Sequence, residues 1–162
     1  MKIGYDVYHS PIGPIGIVVD EIGVSKVEIF EDKWQDYLKN NPTIEHNKEM
    51  CKEAVKELTE YFEGTRSRFT VPFSTSGTDF TKKVWDALCE IPYGETRSYS
   101  DIANRVGSPK AVRAIGQANK RNNLAIMIPC HRVIGKNGKL TGYAGNRTNI
   151  KEKLLDWEQK NV

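Results

Sequence analysis

The chain has 162 residues, 24 Lys or Arg against 21 Asp or Glu for a net charge of +3, and is 38% hydrophobic and 28% charged. These totals exclude a disordered tail and fit one sizeable domain or two small ones. The longest apolar runs, such as Ala125–Pro129, cover only a few residues, so no membrane-spanning helix is expected. MKIGYDVYHS carries no apolar core of the signal-peptide kind, and three cysteines is an odd count. A reducing, cytoplasmic setting is therefore expected, nucleoid-associated or nuclear according to organism.

Ile3–His9, Gly16–Asp20 and Val24–Phe30 read as strands, separated by the turn signals at 10–14 and 21–23. Asn47–Phe62 reads as a helix, with Met50, Ala54, Leu58, Tyr61 and Phe62 at helical spacing and Gly64 as its stop. Cys51 within it reads as a core or surface residue. Phe69–Gly77 (FTVPFSTSG) is the expected joint between a domain of residues 1–75 and one of residues 76–162. Thr78–Ile91 then carries Phe80, Val84, Trp85 and Leu88 on one helical stripe, and Cys89 is read with them as core. No cysteine pair shows zinc spacing, so no metal or other cofactor is expected.

Charge divides along the same line. Residues 1–79 hold 9 basic and 14 acidic side chains, −5, whereas residues 80–162 hold 15 and 7, +8. From Ile102 to Lys151 there is no Asp or Glu, yet there are ten Lys or Arg. A stretch that one-sided points to a polyanion, with nucleic acid first, or to a solvated basic face. Inside it, Tyr99–Val106 and Pro109–Arg121 read as two short helices joined at Gly107, a helix-turn-helix pattern. Ser108 is the expected N-cap and Pro109 the first helical residue. Val112 and Ile115 are expected to face inward. Ala111, Ala114, Gly116 and Ala118 would let the helix come close to a groove wall, and Lys110, Lys120 and Arg121 could meet phosphates.

Residues 122–135 read NNLAIMIPCHRVIG. Apolar surroundings alone raise a thiol's pKa and keep it inert, but a neighbouring imidazole and cations can reverse this and make thiolate. Cys130 beside His131 and Arg132 therefore reads as a nucleophile. Without further ligands nearby, a metal site is the weaker reading. A cysteine hydrolase would need an oxyanion hole and a histidine usually distant in sequence.

PCHRV, with PYGETRSYSDIA, RAIGQANKRN, GYAGN and KEKLLDWE around it, resembles the active-site signature of the 6-O-alkylguanine-DNA alkyltransferases, also called methylated-DNA–protein-cysteine methyltransferases. The likeness runs from about Thr78 to Glu158; the first half resembles the family in size and layout. It implies an α+β protein, with an N-terminal ribonuclease-H-like α/β domain and a mostly helical C-terminal domain bearing the helix-turn-helix. It also implies direct reversal of 6-O-alkylguanine damage, and of 4-O-alkylthymine, by irreversible transfer of the alkyl group to Cys130.

By that resemblance His131 acts through a water as base, Glu158 orients it, and Tyr99 crowds the phosphate and donates to the leaving guanine. Arg113 fills the vacated place in the stack. Lys110, Ala111, Ala114, Gln117, Ala118, Arg121 and Arg132 belong to the DNA-binding surface, set in the minor groove of duplex DNA. Asn122, Val133, Tyr143, Ala144 and Gly145 belong to the base pocket, with the Val133 and Cys130 carbonyls accepting from the guanine amino group. Ala144 stands where some members have serine, and Asn146 where a second glycine is common. No membrane or obligate protein partner is implied, and a monomer is expected. Two rivals are a lesion-binding protein without chemistry and a DNA-binding regulator; the retained Cys130 argues against the first and the PCHR sequence against the second.

Overall fold

A computed structural model describes residues 2–135 and 148–162. The chain forms two compact units: residues 1–75 with 123–125, and residues 76–122 with 126–162.

In the first unit, β1 (Ile3–Ser10), β2 (Gly13–Asp20) and β3 (Val24–Glu28) form an antiparallel meander, and β4 (Glu45–His46) pairs parallel to β1, giving the order β3-β2-β1-β4. β2 starts at Gly13, three residues earlier than its sequence suggests, because Ser10 closes a tight turn by donating to the Gly13 carbonyl. Pro14 inside β2 breaks no ladder: it faces His9 in β1, while β3 pairs only from Gly16 onward.

Two helices cover this sheet. α1 (Glu31–Asn40), not apparent in the sequence, buries Trp34. A Cβ on Gly16 would lie 2.2 Å from the Trp34 ring, so β2 needs glycine there. α2 (Lys48–Glu63) is capped by Asn47, which accepts from the Met50 N–H, and ends at Gly64 with φ 78°. Burial pushes the Cys51 thiol up to about 12, so it is a core thiol and no nucleophile. Buried Glu57 accepts from both backbone N–H groups and the hydroxyl of Thr70–Val71, pinning the segment after α2.

The second unit is mainly helical. α3 (Asp79–Cys89) is capped by Thr78 and buries Val84, Trp85 and Leu88, each worth about 1.5–3 kcal/mol of apolar transfer. Cys89, read as core, is exposed: it lies in the last helical turn, off the buried stripe. α4 (Tyr99–Arg105) opens on a capping box between Ser98 and Asp101. It ends with Gly107 at φ 80°, Gly107 N–H donating to Asn104 and Ser108 N–H to Ala103, a Schellman motif.

α5 runs from Val112 to Lys120, not from Pro109. Ser108 closes a separate turn by accepting from the Ala111 N–H, so the helix begins after it. A two-residue parallel ladder, β5 (Arg97–Ser98) with β6 (Val133–Ile134), and α6 (Thr148–Lys160) complete the unit.

Candidate active site and nucleic-acid interface

Pro129 shapes the site. Its φ of −79° and ψ of 62° make an inverse γ-turn, closed by the Cys130 N–H on the Ile128 carbonyl at 2.7 Å. Cys130-His131-Arg132 then form one 3-10 turn, all three buried. Just upstream, buried Ile126 sits at φ 73°, a left-handed conformation unusual for a β-branched residue.

The Cys130 sulfur receives the side-chain N–H of Asn122 at 3.1 Å, and the same amide donates to the Ile128 carbonyl at 2.8 Å. One side chain at the end of α5 therefore holds both the loop and the thiol. Asn119, one turn earlier and buried, adds a longer contact to the Cys130 carbonyl at 3.4 Å. The sequence reading missed Asn119; its place at i+4 from Ile115 on the inward stripe is the signal.

His131 and Glu158 are both fully buried, with His131 Nε2 and Glu158 Oε2 2.6 Å apart. Burial would push the Glu158 carboxyl up, but the His131 hydrogen bond and the Arg132 guanidinium hold it far below the usual carboxylate range. Burial, reinforced by Arg132 and Lys151, pulls the His131 pKa down against the opposing pull of Glu158. The ring is thus a neutral imidazole whose Nε2–H donates to the carboxylate, leaving Nδ1 as acceptor; Nδ1 is buried and has no partner among the described residues. This arrangement can fix a tautomer and present a base.

Arg132 is not on a DNA-facing surface. It is 4% exposed, its Nε and Nη2 donate to the two Glu158 oxygens at 2.8 and 2.9 Å, and Nη1 donates to the Ile91 carbonyl at 2.8 Å. A guanidinium buried to this degree and held by three internal acceptors does not reach a phosphate at the surface.

Ala118 is likewise buried and offers its carbonyl to the Trp85 indole N–H at 3.0 Å. Of the residues expected to meet DNA here, Lys110, Arg113, Ala114, Gln117, Lys120 and Arg121 are exposed, with Ala111 half-buried. Arg113, Gln117 and Arg121 lie at intervals of four and share one face. Ile115 packs inward as expected, but Val112 is 38% exposed.

Tyr99 is half-buried at the first position of α4. The pairing of Arg97 with Val133 and Ser98 with Ile134 sets that helix start alongside the end of the Cys130 turn. Val133 is buried, and its carbonyl accepts from the Lys151 ammonium, a partner competing with the guanine contact expected of it. Tyr143, Ala144, Gly145 and Asn146 lie outside the described residues.

The chain matches the 6-O-methylguanine DNA methyltransferase DNA-binding domain over residues 79–160 and the ribonuclease-like domain of the same family over residues 3–75. It is 50% identical over 156 residues to the constitutive methylated-DNA–protein-cysteine methyltransferase of Bacillus subtilis (strain 168), covering 96% of this chain and 94% of that protein. Among solved structures, Mycobacterium tuberculosis O6-methylguanine methyltransferase superposes with a TM-score of 0.87 at 40% identity, covering 99% of this chain and 94% of that one. Mycobacterium tuberculosis OGT in complex with DNA gives 0.85 at 40% identity, covering 98% and 94%. Both halves of the chain, and the loop that carries its buried cysteine, thus place it in the 6-O-methylguanine DNA methyltransferase family.

Proposed function

We propose that this protein repairs 6-O-alkylguanine, and 4-O-alkylthymine, in duplex DNA by moving the alkyl group irreversibly to its own Cys130. The observation that carries the reading is the pair of hydrogen bonds that the Asn122 amide donates to the Ile128 carbonyl and the Cys130 sulfur, which holds the thiol in the turn that also carries His131, itself bonded to Glu158. The homology supports it, since the relatives are named methylated-DNA–protein-cysteine methyltransferases and one neighbour is bound to DNA.

An alkylated base in the stack cannot reach a buried thiol, so the nucleotide is flipped out at an unstacking cost of a few kcal/mol. The helix-turn-helix binds the minor groove, Arg113 on the exposed face of α5 fills the gap, and Lys110, Lys120 and Arg121 meet phosphates. His131 Nδ1 takes the thiol proton through a water, with Glu158 holding the ring. The sulfur lone pair attacks the alkyl carbon as its bond to guanine oxygen breaks. The departing guanine carries the electron pair, and the Tyr99 hydroxyl donates to it. The thioether has no leaving path, so each molecule acts once. The protein works as a monomer.

Intact-mass measurement after mixing with duplex DNA containing 6-O-methylguanine tests this. One added methyl on Cys130, stoichiometric and without turnover, is expected; reduced protein that gains no mass would refute the reading. Cys130→Ser should bind the DNA and gain nothing. Arg113→Ala should slow transfer from duplex DNA more than from free benzylated guanine, and equal losses would remove Arg113 from the flipping step.

A further inference from the structure

β3 is an edge strand of the four-stranded sheet, and its outer side is occupied at two places. The Val24 N–H donates to the Pro72 carbonyl and the Ser74 N–H to the Val24 carbonyl, which docks the segment leading out of the first unit. Further along, the Val27 N–H donates to the Asn123 carbonyl at 2.8 Å, and Val27 and Leu124 form a parallel bridge. Val27 faces Ile17 of β2 across the antiparallel ladder, and its N–H, given to Asn123, points away from β2. Val27 and Leu124 are both buried.

The second of these docks has a particular origin. Residues 123–125 belong to the first unit, whereas Asn122 before them and Ile126 after them belong to the second. The chain leaves the end of α5, runs briefly along β3 and returns at Ile126, whose left-handed φ of 73° turns it. The same excursion ends in the acceptor turn, where the Asn122 amide donates to the Ile128 carbonyl at 2.8 Å and to the Cys130 sulfur at 3.1 Å. One side chain thus closes the loop at its base, and an edge strand pins it midway. A bare edge invites unwanted pairing, and any extended segment could cover it. Here the covering segment is the one that leads to the thiol. A short span fixed at its base and its middle has few conformations left, so the approach of the Asn122 amide to the sulfur depends on both fixings.

We infer that β3 belongs to the alkyl-acceptor apparatus: the Val27 N–H and the bridge to Leu124 hold the loop that presents Cys130, and Leu124 is a positioning residue for the transfer. The inference rests on Cys130 being the alkyl acceptor. The first unit then contributes to the chemistry without supplying a reacting atom. Coupling between two contacts is reciprocal. If the Val27–Asn123 bond supports the meeting of amide and sulfur, a group placed on the sulfur weakens that bond.

Two measurements test this. In the first, Leu124→Ala, Leu124→Met and Leu58→Ala are compared by single-turnover transfer to Cys130, from lesion duplex and from free 6-O-benzylguanine. Leu58, on α2, is a fully buried leucine of the same unit and lies outside the loop. In Leu124→Ala both rates should fall together by roughly ten- to hundredfold, the scale of a reacting group displaced by about 1 Å, with DNA affinity unchanged. The pH midpoint of the thiolate absorbance, taken as the difference from Cys130→Ser, should rise, because the Asn122 N–H then stabilises the thiolate less. Leu124→Met should restore most of the rate, and Leu58→Ala should keep the wild-type rate and midpoint. A Leu124→Ala protein with the wild-type rate overturns the inference. So does a Leu58→Ala protein slowed as much for the same loss of melting temperature.

The second measurement needs no change at Leu124, no DNA and no alkyl donor. In a Cys89→Ser background, Cys130 is capped as a mixed disulfide with methyl methanethiosulfonate; Cys51, its thiol pushed up to about 12, stays unmodified. Hydrogen exchange is then followed residue by residue by NMR. The Val27 amide should exchange at least about fivefold faster after capping, while the Val24 amide, bonded to Pro72 on the same edge, keeps its rate. An unchanged Val27 rate, or equal acceleration at both valines, overturns the inference even if Leu124→Ala does not fold. A protein that shows the coupling yet takes no methyl from lesion DNA refutes the repair reading and leaves the anchor standing.

Discussion

Arg132 and Glu158 form a two-point clamp inside the protein, Nε to Oε1 at 2.8 Å and Nη2 to Oε2 at 2.9 Å, with both side chains buried. Arg132→Met would leave the carboxylate buried without its main counter-charge. Removing one partner of such a pair costs about 3–5 kcal/mol. Thermal melting should show a loss of that order, and Arg132→Lys should restore little, because an ammonium cannot meet two oxygens side by side. A loss under about 1 kcal/mol would mean the clamp is dispensable.

The same carboxylate gives an acid signature. Glu158 titrates far lower in the folded protein than its unfolded value of about 4.3, so the unfolded chain takes up the proton first. The stabilisation is complete above roughly pH 4.3 and is lost as pH falls toward the folded value. The melting temperature of the wild type should therefore drop more steeply below about pH 4 than that of Glu158→Gln. Parallel curves would show that Glu158 makes no such contribution.

Much of this was legible in the sequence, and the gaps share a cause. Asn47, Thr78, Gly64 and Gly107 mark helix ends through local chemistry, and local chemistry survives in a linear reading. Cys130 beside His131 announces itself for the same reason. Arg132 was assigned to the DNA-binding surface because its partner lies 26 residues away in α6, out of reach of a linear reading. Lys151 was counted only as a surface charge, although Leu154 and Glu158 fall on its helical stripe. α1 was hidden because EDKWQDYLKN buries a single side chain, Trp34. Pro109 is a good first helical residue, but the turn closed by Ser108 displaced the helix start to Val112.

Asn122 bridges loop and thiol through one amide, so Asn122→Ala removes two hydrogen bonds at once. A bond to a charged acceptor is worth about 1.5–3 kcal/mol, which corresponds to roughly ten- to hundred-fold in rate. Single-turnover transfer should slow by that factor while DNA affinity holds. Asn122→Asp should be slower still, because a carboxylate would repel the thiolate. A variant that transferred at the wild-type rate would remove Asn122 from the chemistry.

Salt dependence separates the outward cations from the inward one. Arg121 is exposed at the end of α5, and Arg132 is not. Each lost phosphate contact lowers the slope of log affinity against log salt by about one. Arg121→Ala should show that reduction in a fluorescence anisotropy titration. Arg132→Met, at a temperature where it remains folded, should keep the wild-type slope. The opposite pattern would place the DNA on another face.

The left-handed Ile126 gives the acceptor loop a mechanical character. Its backbone rests in a geometry that a β-branched residue holds only under compulsion, and the compulsion comes from a side chain wedged in the core. The segment from Ile126 to Cys130 thus behaves like a sprung catch. The wedge keeps it cocked at one end, and the Asn122 amide holds the other end closed over the sulfur. Anything that enlarges the sulfur pushes directly on that hold.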